Sequence, residues 1–405
     1  MIMNEIDPKK PFPILPRLTD YVDPIAFTSK DHHLVPLFNE IAKHKVSDIF
    51  ISPEKPILVQ KNKLMVAVTE RPIGDIEAQF FLTEIGGSSA ITIVNRGEAV
   101  DKLYSIFDGE KDNKDALGYR KEIGFRVNIF GIILRGAVQY QIVLRLVPTA
   151  PPSFDTIGMS QKLVQRSCPV QGIVLTCGNT GDGKSTSQAS TIRYILENDT
   201  PIKGNIVTIE DPIEFVYHSI ISSHSIVSQS QIPENAPTFN AALIAALRRK
   251  PAAILVGEMR DKATIDTVIT SALTGHPVFS TLHCGSIIDV IPRILKQFEN
   301  SQQILYDLVS TSTLYINQRL VHFANGKGMF AVREYLYFTY ELKRKLLNFK
   351  DVSEITNYLL DEMEKAPFDD DDSYISPSYK RQGEYLFEKG IIDEKGLIKL
   401  TNQVA

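Results

Sequence analysis

The run Gly178-Asn179-Thr180-Gly181-Asp182-Gly183-Lys184-Ser185 follows directly on the apolar segment GIVLTC and leads through Thr186 into a helix-compatible stretch. Glycines packed this closely disfavour both strand and helix, so the chain must turn here through conformations that only glycine adopts freely. Set between a strand and a helix, the pattern GxxxxGK[ST] points backbone N–H groups at one anion and adds the positive end of the following helix. Residues Gly178 to Thr186 are therefore the candidate phosphate-binding segment. The Lys184 ammonium would neutralise β- and γ-phosphate charge, and the Ser185 hydroxyl would ligate Mg²⁺.

From residue 172 onward, apolar runs (GIVLTC, NIVTIE, AAILVGE, PVFSTLH) alternate with helical segments. That alternation predicts an α/β fold with a parallel sheet flanked by helices. Such sheets place ligands at the carboxyl ends of their strands, and polar residues cluster there. The run IVTIE delivers Glu210 and Asp211, with Glu214 just beyond; these can orient Mg²⁺ through its waters or position an attacking water. In ILVGEMRD, Glu258 emerges straight after an apolar run and is the candidate catalytic carboxylate, while Gly257 occupies the place where many such strands carry a metal-binding Asp. The metal would then fall to Ser185, Glu210 and Asp211. His276 and His283 bracket the run PVFSTL and are candidate reporters of the γ-phosphate. No third orienting group accompanies His283-Cys284, which excludes a Cys-His protease.

The N-terminal third reads differently. Residues 1–30 are proline-rich and are expected to form an extended arm; LVPLFNEIAKHKVSDIFIS then predicts a helix running into a strand, and PILVQKNKLMVAV a hairpin around Lys61, Asn62 and Lys63. A β-rich stretch over 123–147 carries Arg126, Arg135 and Arg145 among apolar neighbours, so anionic partners are expected for them. These signals predict a smaller α+β domain over 31–150, a Pro/Ser/Thr-rich linker over 151–160 and the α/β domain over 161–365. An acidic spacer with a helical tail is expected over 366–405. At 405 residues, two domains are the natural prior. The formal charge of −4, without a basic stripe, argues against direct nucleic-acid binding. Three cysteines without CxxC spacing exclude a zinc cluster or a disulfide framework and suit a reducing compartment. No apolar run reaches a membrane span, so any membrane role is expected to run through partners.

Taken together, GNTGDGKST, IVTIEDPIEF, ILVGEMRD and TGHPVFSTLH resemble, in order and spacing, the Walker A, Asp box, Walker B and His box of the secretion and type IV pilus-retraction ATPases. SDIFIS, FRVNIFG, LRG and LRLVP extend the likeness over roughly residues 40–350. Within that superfamily the chain is most similar to the DotB/TraJ-like ATPases of type IVB secretion and conjugation systems. The resemblance implies a RecA-like P-loop domain preceded by a PAS-like one and a homohexameric ring. It implies ATP and Mg²⁺ as ligands, and a cytoplasmic station beside inner-membrane platform proteins of a secretion or pilus machine. It gives family roles to Lys184, Ser185, Glu210, Glu258 and His283, and makes Arg126, Arg135 and Arg145 the arginines that reach the nucleotide. Asn179 stands where the family often has Pro. Two rivals remain open at this point: a RecA-like nucleic-acid translocating motor, and a nucleotide-gated assembly scaffold.

Overall fold

The computed structural model describes residue 12 and residues 24–401, apart from 45, 62–63, 109–113, 115–119, 149, 300, 369 and 371. Most of the expected N-terminal arm, and Asn62 and Lys63 of the expected hairpin, lie outside the described residues. The chain divides into two compact units, the described part of Met1–Thr149 with Pro212–Ser219, and Ala150–Asp211 with Ile220–Ala405.

In the smaller unit, strands β1 (Asp48–Ile51), β2 (Leu58–Lys61), β3 (Leu64–Ala67), β4 (Val100–Phe107), β5 (Glu122–Leu134) and β6 (Ala137–Val147) form one sheet in the order β3-β2-β1-β6-β5-β4. All neighbours pair antiparallel. Helices α1 (Val35–Lys43), α2 (Asp75–Gly86) and α3 (Ala90–Asn95) belong to the same unit. Leu37, Phe38 and Ile41 recur at helical spacing on α1 and are buried, Phe38 lying 5.0 Å from Phe125 of β5 between ring centroids. Each such side chain contributes roughly 1.5–3 kcal/mol by leaving water. The expected helix-then-strand and hairpin are both present, the hairpin running from Leu58↔Ala67 to Lys61↔Leu64. The arginine-bearing stretch is the long hairpin β5–β6. Although they stand among apolar neighbours in the sequence, Arg126 is half-buried, and Arg135 and Arg145 are exposed. The pleat faces Arg126 and Arg145 away from the core that Phe125, Val127 and Leu144 fill, and Arg135 lies in the turn between the two strands.

The larger unit holds seven strands: β7 (Gly172–Cys177), β8 (Gly204–Glu210), β9 (Ser225–Gln231), β10 (Pro251–Val256), β11 (Pro277–Leu282), β12 (Ser312–His322) and β13 (Met329–Tyr337). Their order is β13-β12-β7-β11-β10-β8-β9, parallel throughout except for the antiparallel edge strand β13. Central strands β7 and β11 are buried at every position, which is why they read as unbroken apolar runs rather than alternating ones. The helices of this unit are α4 (Gln161–Arg166), α5 (Lys184–Glu197), α6 (Phe239–Leu247), α7 (Lys262–Leu273), α8 (Val290–Leu295), α9 (Ser301–Thr311), α10 (Tyr340–Leu347), α11 (Val352–Lys365), α12 (Tyr379–Glu388) and α13 (Glu394–Thr401).

Three sequence expectations change here. The segment expected as a linker is bonded to the larger unit: the Arg333 guanidinium donates to the carbonyls of Ile157 and Gly158 at 2.9 and 2.8 Å, and Arg193 donates to Pro151 O at 2.7 Å. Pro212–Ser219, expected inside the α/β domain, groups with the smaller unit. The expected spacer and tail are also built into the fold. Ile375 bridges Leu336 of β13, Arg166 donates to the Ser373 and Asp372 carbonyls, and Tyr379, Ile392 and Leu400 share a core with Val321 and Val332. Acidic and Ser/Pro-rich composition suggested a solvated segment, but the buried Ile375, Tyr379, Ile392 and Leu400 anchor it.

Candidate active site

Cys177 ends β7, and the chain then turns through the glycine-rich loop into α5. Gly178 has φ +146° and Gly183 φ +79°, and a Cβ on either would lie 2.6 Å from Gln318 O or 3.0 Å from Gln318 Nε2. Any larger residue would press the loop off β12, so these glycines are needed for both torsion and space. Gln318 also donates to Asp182 O and accepts from Ser187 Oγ at 2.7 Å, holding the loop and the first turn of α5 on β12. Lys184 opens α5, with Ser185 and Thr186 in the same turn. Its Nζ donates to the carbonyls of Gly178 and Asn179, both at 3.0 Å, so the ammonium lies over the loop. Asn179, Thr180 and Gly181 are the loop's exposed residues. The glycine cradle, the helix N-terminus and the buried lysine together fit a polyphosphate.

The sheet order explains how the other groups reach the loop. The laterally successive strands β7, β11, β10 and β8 point their carboxyl ends the same way, Leu282 opposite Cys177 and Val256, the last residue of β10, opposite Ser280 and Ile209. Their carboxyl ends therefore deliver Lys184, His283, Glu258 and Asp211 in that lateral order, although the chain order is different. The contacts follow it. Lys184 Nζ is 3.4 Å from His283 Nδ1, and His283 Nε2 is 3.3 Å from Glu258 Oε1. Arg260 Nε donates to Glu258 Oε2 at 2.7 Å, and its Nη1 lies 3.4 Å from Asp211 Oδ2. Burial first, then the Lys184 charge, holds the His283 pKa below the usual imidazole value against the opposing pull of Glu258. A neutral ring accepts from Lys184 at Nδ1 and donates to Glu258 from Nε2–H. Glu258, Arg260, Leu282, His283, Arg293 and Gln297 line a cavity of about 120 Å³.

The remaining candidates are placed as follows. Glu210 accepts from Thr208 Oγ1 at 2.6 Å and from Gln229 Nε2 at 3.2 Å, so the two adjacent carboxylates have different partners. At Gly257 a Cβ would meet Glu210 Cα and Ile209 O at 3.4 Å, an ordinary contact distance, so space alone does not account for the missing aspartate. No cluster of three or more metal-ligating side chains occurs among the described residues. A Mg²⁺ ion held mainly by phosphate oxygens, waters and the Ser185 hydroxyl is compatible with that donor set. His276 is not part of the site. It precedes β11 and so lies at the opposite end of the sheet from His283, about 20 Å away at strand rise. Its carbonyl accepts from Gly172 N at 3.1 Å and its ring meets Thr274 Oγ1 at 3.2 Å.

Nor do the three arginines converge. Arg126 and Arg145 are cross-strand neighbours in β5 and β6, paired with Glu214 at 3.8 Å and Asp48 at 2.8 Å. Arg135 sits in the hairpin turn nine residues along the chain from Arg126, ion-paired to Glu54 at 2.8 Å. Burial raises Cys284 to about 11 and Cys168 to about 12, and pushes Cys177 up as well, so none of the three supplies a thiolate. Two site residues escape sequence reasoning. Arg260 stood inside a quoted motif without a role, and its signal was its place two residues after Glu258. Gln318 carries no local signal, because only the β7–β12 pairing brings it to the loop.

Comparison with known proteins identifies the family of the chain. A family model described as Type II/IV secretion system protein matches residues 29–334. The twitching motility protein of Neisseria gonorrhoeae is 38% identical over 217 residues, a match covering 52% of this chain and 54% of that protein, so the chain spans about half the length of that relative. Among solved structures, the X-ray structure of the Yersinia pseudotuberculosis ATPase DotB superposes with a TM-score of 0.75 at 35% identity, covering 96% of this chain and 98% of that one. The pilus retraction motor PilT with bound ADP superposes with a TM-score of 0.74 at 26% identity, covering 92% and 97%. The matched span takes in the glycine loop and the ends of β8, β10 and β11, and the chain belongs to the type II/IV secretion system protein family.

Proposed function

We propose that this chain hydrolyses MgATP, as a subunit of a hexameric ring, to drive a type IV secretion or conjugation machine of the IVB kind or the retraction of a pilus. One observation carries the catalytic part: the ends of four laterally successive strands bring Lys184, His283, Glu258 and Asp211 into one chain of contacts beside the glycine loop. In this reading the loop N–H groups and Lys184 hold the β- and γ-phosphates. Glu258, fixed through one oxygen by Arg260 and through the other by His283, aligns the attacking water. His283 touches both Lys184 and Glu258 and so senses whether a γ-phosphate is present. Ser185, and through water Glu210 or Asp211, would hold Mg²⁺, which would supply charge neutralisation on the phosphates. Arg126 and Arg145 are proposed as the smaller unit's cations for the nucleotide phosphates, whereas Arg135, in its turn, is left out.

The smaller α+β unit corresponds in this reading to the family's PAS-like domain. The ring would work at the cytoplasmic face of an inner membrane, docked on platform proteins; no helix among the described residues is long and apolar enough to cross a membrane. Hydrolysis per subunit, followed across a wide range of protein concentration with Glu258→Gln as the blank, tests the proposal. Glu258-dependent turnover that rises more steeply than linearly and then levels off supports a site completed on assembly. Turnover strictly proportional to concentration speaks against the ring, and turnover indifferent to Glu258 speaks against the catalytic assignment.

A further inference from the structure

Asp182 puts a carboxylate inside a loop whose business is to bind an anion. That side chain is nearly buried, 5% exposed, and it is fully engaged: one oxygen accepts from Asn179 N at 3.1 Å and the other from Leu320 N at 3.2 Å. The Leu320 amide is open to it because β7 leaves the sheet after Cys177, whose partner on β12 is Asn317. Beyond that pair, the β7-facing edge of β12 needs other partners. Asp182 supplies the acceptor. The donor comes from the far end of the sequence, where Lys399 on α13 gives its Nζ to Leu320 O at 2.7 Å and stands 3.5 Å from Asp182 Oδ1.

The position of Lys399 is fixed by the packing beneath it. Arg319, buried on β12, donates to the carbonyls of Lys399 and Leu400 at 2.9 and 3.0 Å and to Gly285 O at 2.7 Å, two residues past His283. Its guanidinium lies over the Tyr379 ring of α12 at 4.3 Å. The Tyr379 hydroxyl donates to Asn317 Oδ1 at 2.7 Å, and Asn317 Nδ2 donates to Cys284 O at 2.9 Å. Gly383 lets the two tail helices close up, since a Cβ there would lie 3.1 Å from Leu400 Cβ. The tail thus grips both the glycine loop and the segment that carries His283.

We infer that Lys399 is a positioning residue of the nucleotide site: the C-terminal helix pair neutralises Asp182 and pins the glycine loop to β12, so that the loop amides are presented to a nucleoside polyphosphate. This rests on the nucleotide-binding reading above. With the Lys399 charge removed, Asp182 keeps its two backbone donors but loses that cation, its negative charge within the loop weighs more against an incoming polyphosphate, and low-salt affinity falls most.

The test is a double-mutant cycle on the full chain, read by the Kd of a fluorescent ADP analogue and by the KM and kcat of MgATP hydrolysis. Lys399→Ala is expected to raise Kd and KM by roughly three- to tenfold with kcat changed less than twofold, and Lys399→Arg to restore both. In an Asp182→Ser background the same alanine change is expected to move Kd by less than twofold. Lys395→Ala, on the same helix, serves as the surface control. A full-sized loss that persists with Asp182→Ser would assign Lys399 to folding through Leu320 and overturn the inference. Wild-type binding that Lys399→Ala leaves unchanged overturns it as well. Wild type that binds no nucleotide at all overturns the nucleotide reading itself, an outcome distinct from the other two.

Discussion

Glu77 in the smaller unit and Glu258 in the larger each have an arginine within hydrogen-bond reach, yet their surroundings differ. The Glu77 side chain, 10% exposed, accepts from both Arg71 Nη atoms at 2.6 and 2.9 Å, from Phe27 N at 2.8 Å and from Gly74 N at 2.8 Å. Burial raises its pKa, but the Arg71 and backbone hydrogen bonds outweigh that and bring it down to about 2. Glu258 borders a cavity, meets Arg260 through one oxygen and His283 through the other, and is linked through the imidazole to Lys184. Glu77 has its oxygens filled by partners from its own unit and ties the entering chain to α2. Glu258 is oriented by two donors yet faces open space, as a group awaiting a water or a phosphate must.

The contrast can be broken most forcefully at Glu77. Glu77→Gln is expected to destabilise the protein by about 3 kcal/mol, because Arg71 and two backbone amides lose a charged acceptor, and to leave nucleotide affinity within twofold. Since its folded pKa of about 2 is below the unfolded 4.5, the stabilisation is present above pH 4.5 and is lost as pH falls toward 2. Denaturant titrations of wild type and Glu77→Gln should therefore converge in acid; parallel curves would contradict a structural role.

His283 sharpens the comparison with a smaller effect of different origin. Its folded pKa is below the ordinary 6.5, so the unfolded chain takes up the proton more readily and stability falls as pH drops below 6.5. Protonation also removes the acceptor for Lys184. Activity of wild type is expected to decline below that pH more steeply than its stability, and His283→Asn to flatten the stability profile. An unchanged profile in His283→Asn would remove His283 from the contact chain.

The smallest effect belongs to Arg135. With Gly136 it makes a two-residue turn between Leu134 and Ala137, with φ of +48° and +81°. Such a turn favours Asn-Gly. Arg135→Asn is expected to stabilise by about 0.5 kcal/mol, since the exposed pair to Glu54 contributes little. A loss above 1 kcal/mol would show that the Glu54 pair matters more than the turn.

The larger unit was the more legible in sequence. Four of its parallel strands, β7, β8, β10 and β11, are short apolar runs, and each leads to a polar residue that the sheet delivers to the site: Lys184 through the loop, Asp211, Glu258 and His283. What the sequence could not give is lateral order, because β11 inserts between β7 and β10 only in the assembled sheet. For that reason His276 and His283 looked equivalent until strand direction separated them. The arginines failed for a related reason: period-two alternation put them on one strand pair but did not say which face was buried, nor that Arg135 was a turn residue. The tail was misjudged because its acidic run outweighed the spacing of Tyr379, Ile392 and Leu400, which only β12 and β13 explain.

The most direct test of the central claim separates nucleotide binding from turnover in Glu258→Gln. Equilibrium binding of the fluorescent ADP analogue and MgATP hydrolysis would be measured side by side in wild type and variant. The account predicts hydrolysis reduced by roughly a hundredfold or more, with nucleotide affinity within threefold of wild type. Hydrolysis that persists in Glu258→Gln would contradict it, and so would a loss of affinity as large as the loss of turnover, since Glu258 would then hold the site together rather than act in it.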